Sequence, residues 1–360
     1  MVVYTVYGGN PTGLFYHGSA FPTPPALRDS TWIHQGNGYD AQFYRFAAHD
    51  PLLRHGSSAY MDDAALRYRR ILIPALAFLA SPFGILAVDL AYLALVLAAL
   101  GAGVWFTAAL AELDRRSAWW GFLFLALPGT IASVDRALLD GPLCAAVAAF
   151  LYFHRRGLAG AMVAVSVAAP LLRETGLLLA AAAAGSALLQ RQPRRLVVFV
   201  SCAVPFALWA GYVAVNTPQA AYGNIIARPV WGLFARLLEV RTMPSWPPAV
   251  ALLIQSLDIL AILALIAAVA LGLRLAVRDW PSPPALLSLL FSLLALLLAA
   301  PSHLADPFGY LRPISPLLLA LVLNALATRA WWHLLPPALT ALAMLPGPAV
   351  TLLRAAGALR

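Results

Sequence analysis

From Gly84 to its C-terminus the chain is a succession of long apolar runs separated by short polar hinges. Of the 360 residues, 62% are hydrophobic and 11% are charged, whereas soluble domains average about 45–50% apolar and 25% charged residues. One soluble core cannot absorb this excess, because soluble chains divide into separate domains beyond roughly 250–300 residues. The composition therefore predicts a polytopic membrane protein and argues against a soluble enzyme.

We expect an all-α transmembrane bundle of about ten spanning helices, since crossing a bilayer takes about 20 apolar residues per helix. Several of the runs are shorter than this, so their ends are expected to tilt or kink. The runs lie at 84–110, 118–134, 137–153, 158–172, 175–189, 196–215, 249–273, 285–300, 313–328 and 333–353. Residues 84–360 are thus predicted to form the bundle, with outer loops at 216–248 and 301–312, and residues 1–83 to form a polar N-terminal outer loop.

The basic residues indicate which hinges face the cytoplasm. All 24 are arginines, against 15 acidic residues, which excludes a lysine Schiff base and a P-loop lysine. They are scattered between apolar runs, which favours membrane topology and not nucleic-acid binding. Arginine-rich hinges occur at 115–116, 155–156, 191–195, 274–278 and 329, whereas the alternate hinges carry one arginine each at 136, 173 and 312. The first set of hinges is expected to face the cytoplasm. Any catalytic site is therefore expected on the extracytoplasmic side of an inner (plasma) membrane.

Three polar or amphipathic segments are expected to lie beside the bundle. The run at 64–80 is too short to span and carries an arginine-rich head, which suits an interfacial helix, or else a first spanning helix with a basic cap. Residues 231–238 fit a short amphipathic helix on lipid, or a simple aromatic anchor. The opening Met1–Tyr7 is an apolar stretch of only seven residues, so we expect either that a first spanning helix is missing before it or that these first residues fray.

Asp40 is the leading catalytic candidate, in the segment GYDAQFYR that also contains Tyr39, Gln42 and Arg45. A held carboxylate facing a cavity can accept a proton from a hydroxyl group. The alternative is that Asp40 simply caps a helix that begins at Ala41.

The remaining candidates are charged residues near the predicted outer side. Asp62 and Asp63 can bind a divalent cation, but a helix cap is favoured and no metal or other cofactor is expected. Arg70, Arg173 and Arg312 suit a lipid phosphate. The set of expected binding residues also includes Glu174 and His303.

Other ionisable residues are expected to be structural. Asp89, Asp140 and Asp258 fall within predicted spans, where pairing between helices is enough to explain them. The histidine spacings match no helical ligand pair. Cys144 and Cys202 lie in apolar runs and indicate neither a disulfide framework nor a zinc site.

Several segments resemble bacterial integral-membrane glycosyltransferases of the GT-C superfamily. The segments similar to their first outer loop are GNPTGLFYHG at 9–18, GYDAQFY at 38–44, HDPLL at 49–53 and DDAALRYRRILIP at 62–74. RETGLLL at 173–179 and GYLRPISPLLLAL at 309–321 are similar to later elements. The resemblance implies a polyprenyl-phosphate-linked hexose or pentose as donor, a lipid, glycan or protein acceptor outside the cytoplasm, and a catalytic acid in the first outer loop, where Asp40 stands.

On this interpretation Asp40 is the general base, Arg173 and Arg312 hold the donor phosphate, and Glu174 orients Arg173. Arg45 and Arg70 are weaker phosphate ligands. Membrane lipids are expected partners and nucleic acid is not. A lipid or small-solute flippase, or a non-catalytic scaffold, is the alternative function, although no internal repeat typical of transporters is evident. Convergence of Asp40, Arg173 and Arg312 on one place would favour the transferase.

Overall fold

The structure is a computed structural model that describes residues 2–218, 231–239, 247–298, 304 and 306–356. These residues form an all-α protein, as expected. Within them the single exception is a pair of two-residue parallel strands, β1 (His17–Gly18) and β2 (Ile33–His34).

The N-terminal segment contains four short helices and several 3₁₀ turns. The helices are α1 (Val2–Thr5), α2 (Ala41–His49), α3 (Ala64–Arg69) and α4 (Leu72–Phe78). The single helix expected over 64–80 is therefore divided, with a break at Arg70. Pro74 explains the restart, because a proline is tolerated in the first turn of a helix, where its missing N–H is not required.

The bundle contains fourteen further α-helices in the described residues. They are α5 (Ile85–Leu113), α6 (Pro128–Arg136), α7 (Asp140–Arg155), α8 (Ala159–Leu172), α9 (Leu177–Leu189), α10 (Pro193–Ser201), α11 (Val204–Asn216), α12 (Trp231–Leu238), α13 (Pro248–Arg278), α14 (Pro283–Leu297), α15 (Pro307–Leu311), α16 (Ser315–Thr328), α17 (Leu335–Met344) and α18 (Pro346–Ala355). A 3₁₀ helix, Ala118–Ala126, precedes α6.

Four helical stretches in the described residues are long and apolar enough to cross a membrane. They are α5, the α10–α11 pair, α13, and the stretch Trp331–Leu353. A fifth results if Ala118–Ala126 and α6, which meet at a bend of 69°, count as one broken span. Helices α8, α9, α14 and α16 are apolar but have 10–17 residues, fewer than the usual spanning length. These lengths indicate a membrane protein.

The hinges rich in arginine gather at one end of the bundle, which we call the arginine end. Arg155 pairs with Asp114 at 2.7 Å, joining the ends of α7 and α5. Arg116 donates to the carbonyl of Leu326 at 2.9 Å, joining the α5 end to that of α16. We call the other end, where α7 and α16 begin and α8 ends, the cluster end. The predicted separation of the two sets of hinges is thus present in the fold.

Helix α12 lies against α13 near the cluster end. Its Arg236 is buried and pairs with Asp258 of α13, which also accepts a hydrogen bond from the Tyr310 hydroxyl at 2.8 Å. Phe234 and Leu238 are 54% and 85% exposed, as expected for the lipid-facing side of an amphipathic helix. The side chain of Trp231 lies outside the described part of the chain.

Candidate active site

A tight backbone contact fixes the loop that carries Asp40. Gly38 has φ +65°, and a Cβ built on it would lie 2.3 Å from the backbone nitrogen of Gly18 in β1, so only glycine fits here. The Gln42 side chain joins the two segments, accepting from the Gly18 N–H at 3.1 Å and donating to the Asn37 carbonyl at 3.1 Å. Gln42 is thus buried in the support of this loop and has no free polar group facing a substrate.

The Asp40 carboxylate is held between two arginines. Asp40 precedes α2, but its side chain makes no capping hydrogen bond. Instead, its Oδ1 lies 3.0 Å from Nη1 of Arg67 and its Oδ2 lies 2.8 Å from Nη1 of Arg312. The Asp40 side chain retains 15% exposure. The capping alternative therefore does not describe this residue, whose carboxylate is paired and still reachable.

The adjacent acids Asp62 and Asp63 have separate roles. Asp62 binds the Arg67 guanidinium through two hydrogen bonds of 2.9 and 2.6 Å, and so positions the arginine that contacts Asp40. Asp63 caps α3 by accepting from the Leu66 N–H at 2.9 Å. The described residues contain no group of three or more histidine, cysteine, aspartate or glutamate side chains that could hold a metal ion.

Asp140 joins the two arginines that were expected to hold a phosphate. It begins α7, pairs with Nη1 of Arg173 at the end of α8, and lies 3.6 Å from Nη1 of Arg312 just before α16. Asp140 is 3% exposed, and the two arginines are 7% and 8% exposed. Asp40, Arg312, Asp140 and Arg173 therefore form one continuous charged cluster at the cluster end.

Glu174 lies against a different arginine from the one expected. It accepts two hydrogen bonds, of 3.2 and 3.1 Å, from Nε of Arg70, and Arg70 also donates to the Tyr44 hydroxyl. Asp140, and not Glu174, contacts Arg173. The Arg70–Glu174 pair ties the N-terminal segment to the loop after α8, beside the main cluster.

Tyr39 lies between two guanidinium groups. Its ring is 4.3 Å from the Arg136 guanidinium carbon and 4.9 Å from that of Arg312. Arg136 also lies 4.1 Å over the ring of Phe308 and pairs with Asp135 at 3.2 Å. This stacking gives Arg312 and Arg136 fixed orientations.

The charges around Asp40 control its protonation. Burial alone would raise its pKa, but Arg312, Arg67 and Arg70 outweigh burial and hold the pKa of this carboxyl well below its usual range. Burial raises the pKa of Tyr39 well above its usual range, so its hydroxyl stays protonated. Asp40 is thus an ionised carboxylate that is a weak base while both arginines contact it.

Two buried guanidinium N–H groups in the cluster lack an acceptor. These are Nε of Arg173 and Nε of Arg312, which make no hydrogen bond in the described structure. A buried donor without an acceptor costs about 1–3 kcal/mol, and more when it is charged. An anion that reaches both groups would remove this cost, so the cluster has the chemistry of an anion site.

One of the expected site residues lies elsewhere, and another falls outside the described part of the chain. Arg45 is 1% exposed and uses four of its five N–H donors, two for Asp89 of α5 and one each for Ser30 and Thr31. It fastens α2 to α5. His303 lies outside the described residues.

Three residues in or beside the cluster are not among the expected site residues: Arg67, Asp140 and Arg136. Arg67 stands one turn before Arg70, in an arginine-rich segment for which the sequence predicts an interfacial head. For Asp140 the sequence predicts helix pairing, although an ionisable residue at membrane depth is by default a functional candidate. Arg136 has the sequence signature of a hinge arginine, and the aromatic rings around it come from distant parts of the chain.

The fold and the site together define an all-α membrane protein with a buried arginine–carboxylate cluster at one end of its bundle. No family model, curated protein or solved structure matches the chain. The physical chemistry of the cluster is therefore what bears on function.

Proposed function

We propose that the protein is a membrane glycosyltransferase of GT-C type, which transfers a sugar from a polyprenyl-phosphate donor to an acceptor hydroxyl. The observation that carries this proposal is the convergence of Asp40, Arg312, Asp140 and Arg173 at one end of the bundle. A lipid-borne donor needs cations for its phosphate and a carboxylate near its sugar. The cluster offers both within one set of contacts.

The donor phosphate binds at Arg312 and Arg173, where it accepts from the two Nε groups that lack a partner. Asp140 holds both guanidinium groups in place from the opposite side. A phosphate at Nε of Arg312 adds negative charge close to Asp40, which contacts Nη1 of the same arginine, and so offsets part of the positive charge that depresses the Asp40 pKa. Donor binding therefore makes Asp40 a stronger base.

Asp40 then acts as general base for the transfer. The acceptor hydroxyl oxygen attacks C1 of the sugar, its proton passes to Asp40, and the bond from C1 to the phosphate oxygen breaks. The polyprenyl phosphate leaves with the electron pair, and Arg312 and Arg173 stabilise its charge. No metal is needed in this scheme, because the guanidinium groups neutralise the leaving group.

The proposal includes a membrane arrangement. The cluster end faces the extracytoplasmic side of the inner membrane and the arginine end faces the cytoplasm, in accordance with the bias of arginine between hinges. The shorter apolar helices complete a bundle of about ten spans, in which tilting or breaks compensate for length. Such a bundle lets a polyprenyl chain remain in lipid while its phosphate reaches the cluster.

Reconstitution with a panel of polyprenyl-phosphate sugars tests this function directly. Purified protein in vesicles is given each donor with lipid, glycan and peptide acceptors, and release of polyprenyl phosphate is measured. We expect one donor to be consumed by the wild-type protein and not by Asp40→Asn. Consumption of no donor, or movement of intact donor across the vesicle membrane without cleavage, would overturn the proposal, and the second result would identify a flippase.

A further inference from the structure

A groove lies at the arginine end, away from the charged cluster. It has a volume of about 500 Å³ and is enclosed by α8, α9, α10 and the beginning of α14. Its walls include the apolar side chains of Met162, Val163 and Phe199, and its rim carries Arg194 and Arg195. The groove thus combines an apolar interior with two cations at its edge.

Within the described residues these two arginines have no carboxylate partner. The carboxylates that form ion pairs at this end are engaged by other arginines, Asp114 by Arg155 at 2.7 Å and Asp279 by Arg278 at 3.9 Å. Both stand in the first turn of α10, where the helix dipole adds to the positive potential. The rim therefore favours an anion.

The surface beside the rim is apolar and exposed. Val198 of α10 lines the groove and is 44% exposed. An exposed aliphatic side chain beside a cationic rim matches a molecule with an anionic head and hydrocarbon chains. A soluble anion would gain nothing from this part of the surface.

We propose that this groove is a binding site for an anionic phospholipid. The phosphate contacts Arg194 and Arg195, the glycerol region enters the groove, and the acyl chains lie along α9 and α10. Basic pockets between membrane helices bind such headgroups by this combination of charge and apolar contact. The inference does not depend on the proposed transferase activity.

Gly160 allows the groove to be closed without removing charge. It lines the groove, and a Cβ built on it meets no atom within 4 Å. Gly160→Leu therefore fills the space with little disturbance of the surrounding helices. This variant separates the shape of the site from its charge.

Lipid retention by the purified protein tests the proposal. Wild type, Arg194→Gln/Arg195→Gln, Gly160→Leu and the control Arg278→Gln are incubated in detergent with phosphatidylglycerol, with phosphatidylcholine or with inorganic phosphate. Native mass spectrometry measures the bound lipid, and thermal unfolding measures stabilisation. Arg278 is a suitable control because it is exposed at the same end and does not line the groove.

We expect phosphatidylglycerol to bind in preference to phosphatidylcholine and to raise the unfolding temperature, and inorganic phosphate to have no effect. Loss of both arginines should weaken phosphatidylglycerol binding roughly 10- to 30-fold. Gly160→Leu should weaken it comparably, and Arg278→Gln should not. Equal retention of the two lipids by wild type, undiminished binding by the double variant, or full stabilisation by inorganic phosphate would each overturn the proposal.

Discussion

At the scale of single residues, Asp40 and Asp63 allow catalysis and helix capping to be separated. Both precede helices, but only Asp63 makes a capping hydrogen bond, whereas Asp40 contacts Arg67 and Arg312. We predict that Asp40→Asn lowers turnover about 10²–10⁴-fold, because the basic carboxylate is lost. Donor binding should remain, since the proposed phosphate ligands are Arg312 and Arg173. Initial rates and donor KM in reconstituted vesicles measure both effects.

Asp63→Asn is the matched control, because asparagine caps a helix as well as aspartate does. It should leave activity and stability unchanged. A folded Asp40→Asn protein with full activity would end the catalytic role of this residue.

Arg312 should act mainly on donor affinity. We predict that Arg312→Ala raises the donor KM roughly 10- to 100-fold, since a charge-assisted hydrogen bond contributes about 1.5–3 kcal/mol. Arg156→Ala, which removes an arginine at the opposite end, should leave KM unchanged. An Arg312→Ala protein with wild-type KM would show that the phosphate binds elsewhere.

His17 predicts an acid-sensitive contribution to stability. Burial, with a smaller effect from Arg45, lowers the pKa of His17 from 6.5 to about 4. The unfolded chain therefore binds a proton between about pH 6.5 and 4 that the folded protein excludes. Stability present above pH 6.5 should decline as pH falls through this window, by about 2 kcal/mol after allowance for solvent screening. Thermal unfolding of wild type and His17→Gln between pH 4 and 7 should show a smaller decline in the variant.

At the scale of helices, the pairing of α2 with α5 depends on Arg45 and Asp89, each with a side chain 1% exposed. We predict that Asp89→Asn destabilises the protein by about 3–5 kcal/mol, because it leaves a buried guanidinium without its counter-charge. The exposed pair Arg278–Asp279 provides the control, and Asp279→Asn should change stability by less than about 0.5 kcal/mol. Denaturant unfolding in detergent measures the difference. Equal effects of the two variants would contradict a structural role for Arg45.

Helix positions could be predicted from the sequence more closely than helix lengths. The apolar runs at 84–110 and 249–273 correspond to α5 and α13, because long uninterrupted hydrophobicity favours one continuous helix. The run at 196–215 is interrupted instead, since α10 ends at Ser201 and α11 restarts with Pro205 in its first turn. Hydropathy does not record such interruptions, because local backbone chemistry decides where one helix stops.

The sequence identifies several residues of the cluster but does not predict which of them contact one another. The sequence indicates Arg312 because charge is costly at the mouth of a spanning helix, and Asp40 because a glycine and two tyrosines bracket its carboxylate. Their partners depend on tertiary packing: Arg173 is adjacent to Glu174 in sequence, yet Asp140, 33 positions before Arg173, is the carboxylate that contacts it. Sequence proximity is a weak guide to ion pairing when several helix ends meet in one place.

At the scale of the whole molecule, the two ends of the bundle should lie on opposite sides of the membrane. Cys144 and Cys202 are buried, so single introduced cysteines can report accessibility. Asp29 and Asn216 belong to the cluster end, and Ala118 follows the arginine pair at the other end; all three are exposed. We predict that Asp29→Cys and Asn216→Cys react with a membrane-impermeant thiol reagent from the extracytoplasmic side.

Ala118→Cys should react only after the membrane is permeabilised, because arginine-rich hinges are expected to remain in the cytoplasm. The unmodified protein, with its two buried cysteines, supplies the background. Reaction of all three positions from the same side would show that the ends do not face opposite compartments. Either the charged cluster would then lie in the cytoplasm, or the number of spans would be wrong. If the cluster lies in the cytoplasm, an extracytoplasmic acceptor could not reach Asp40.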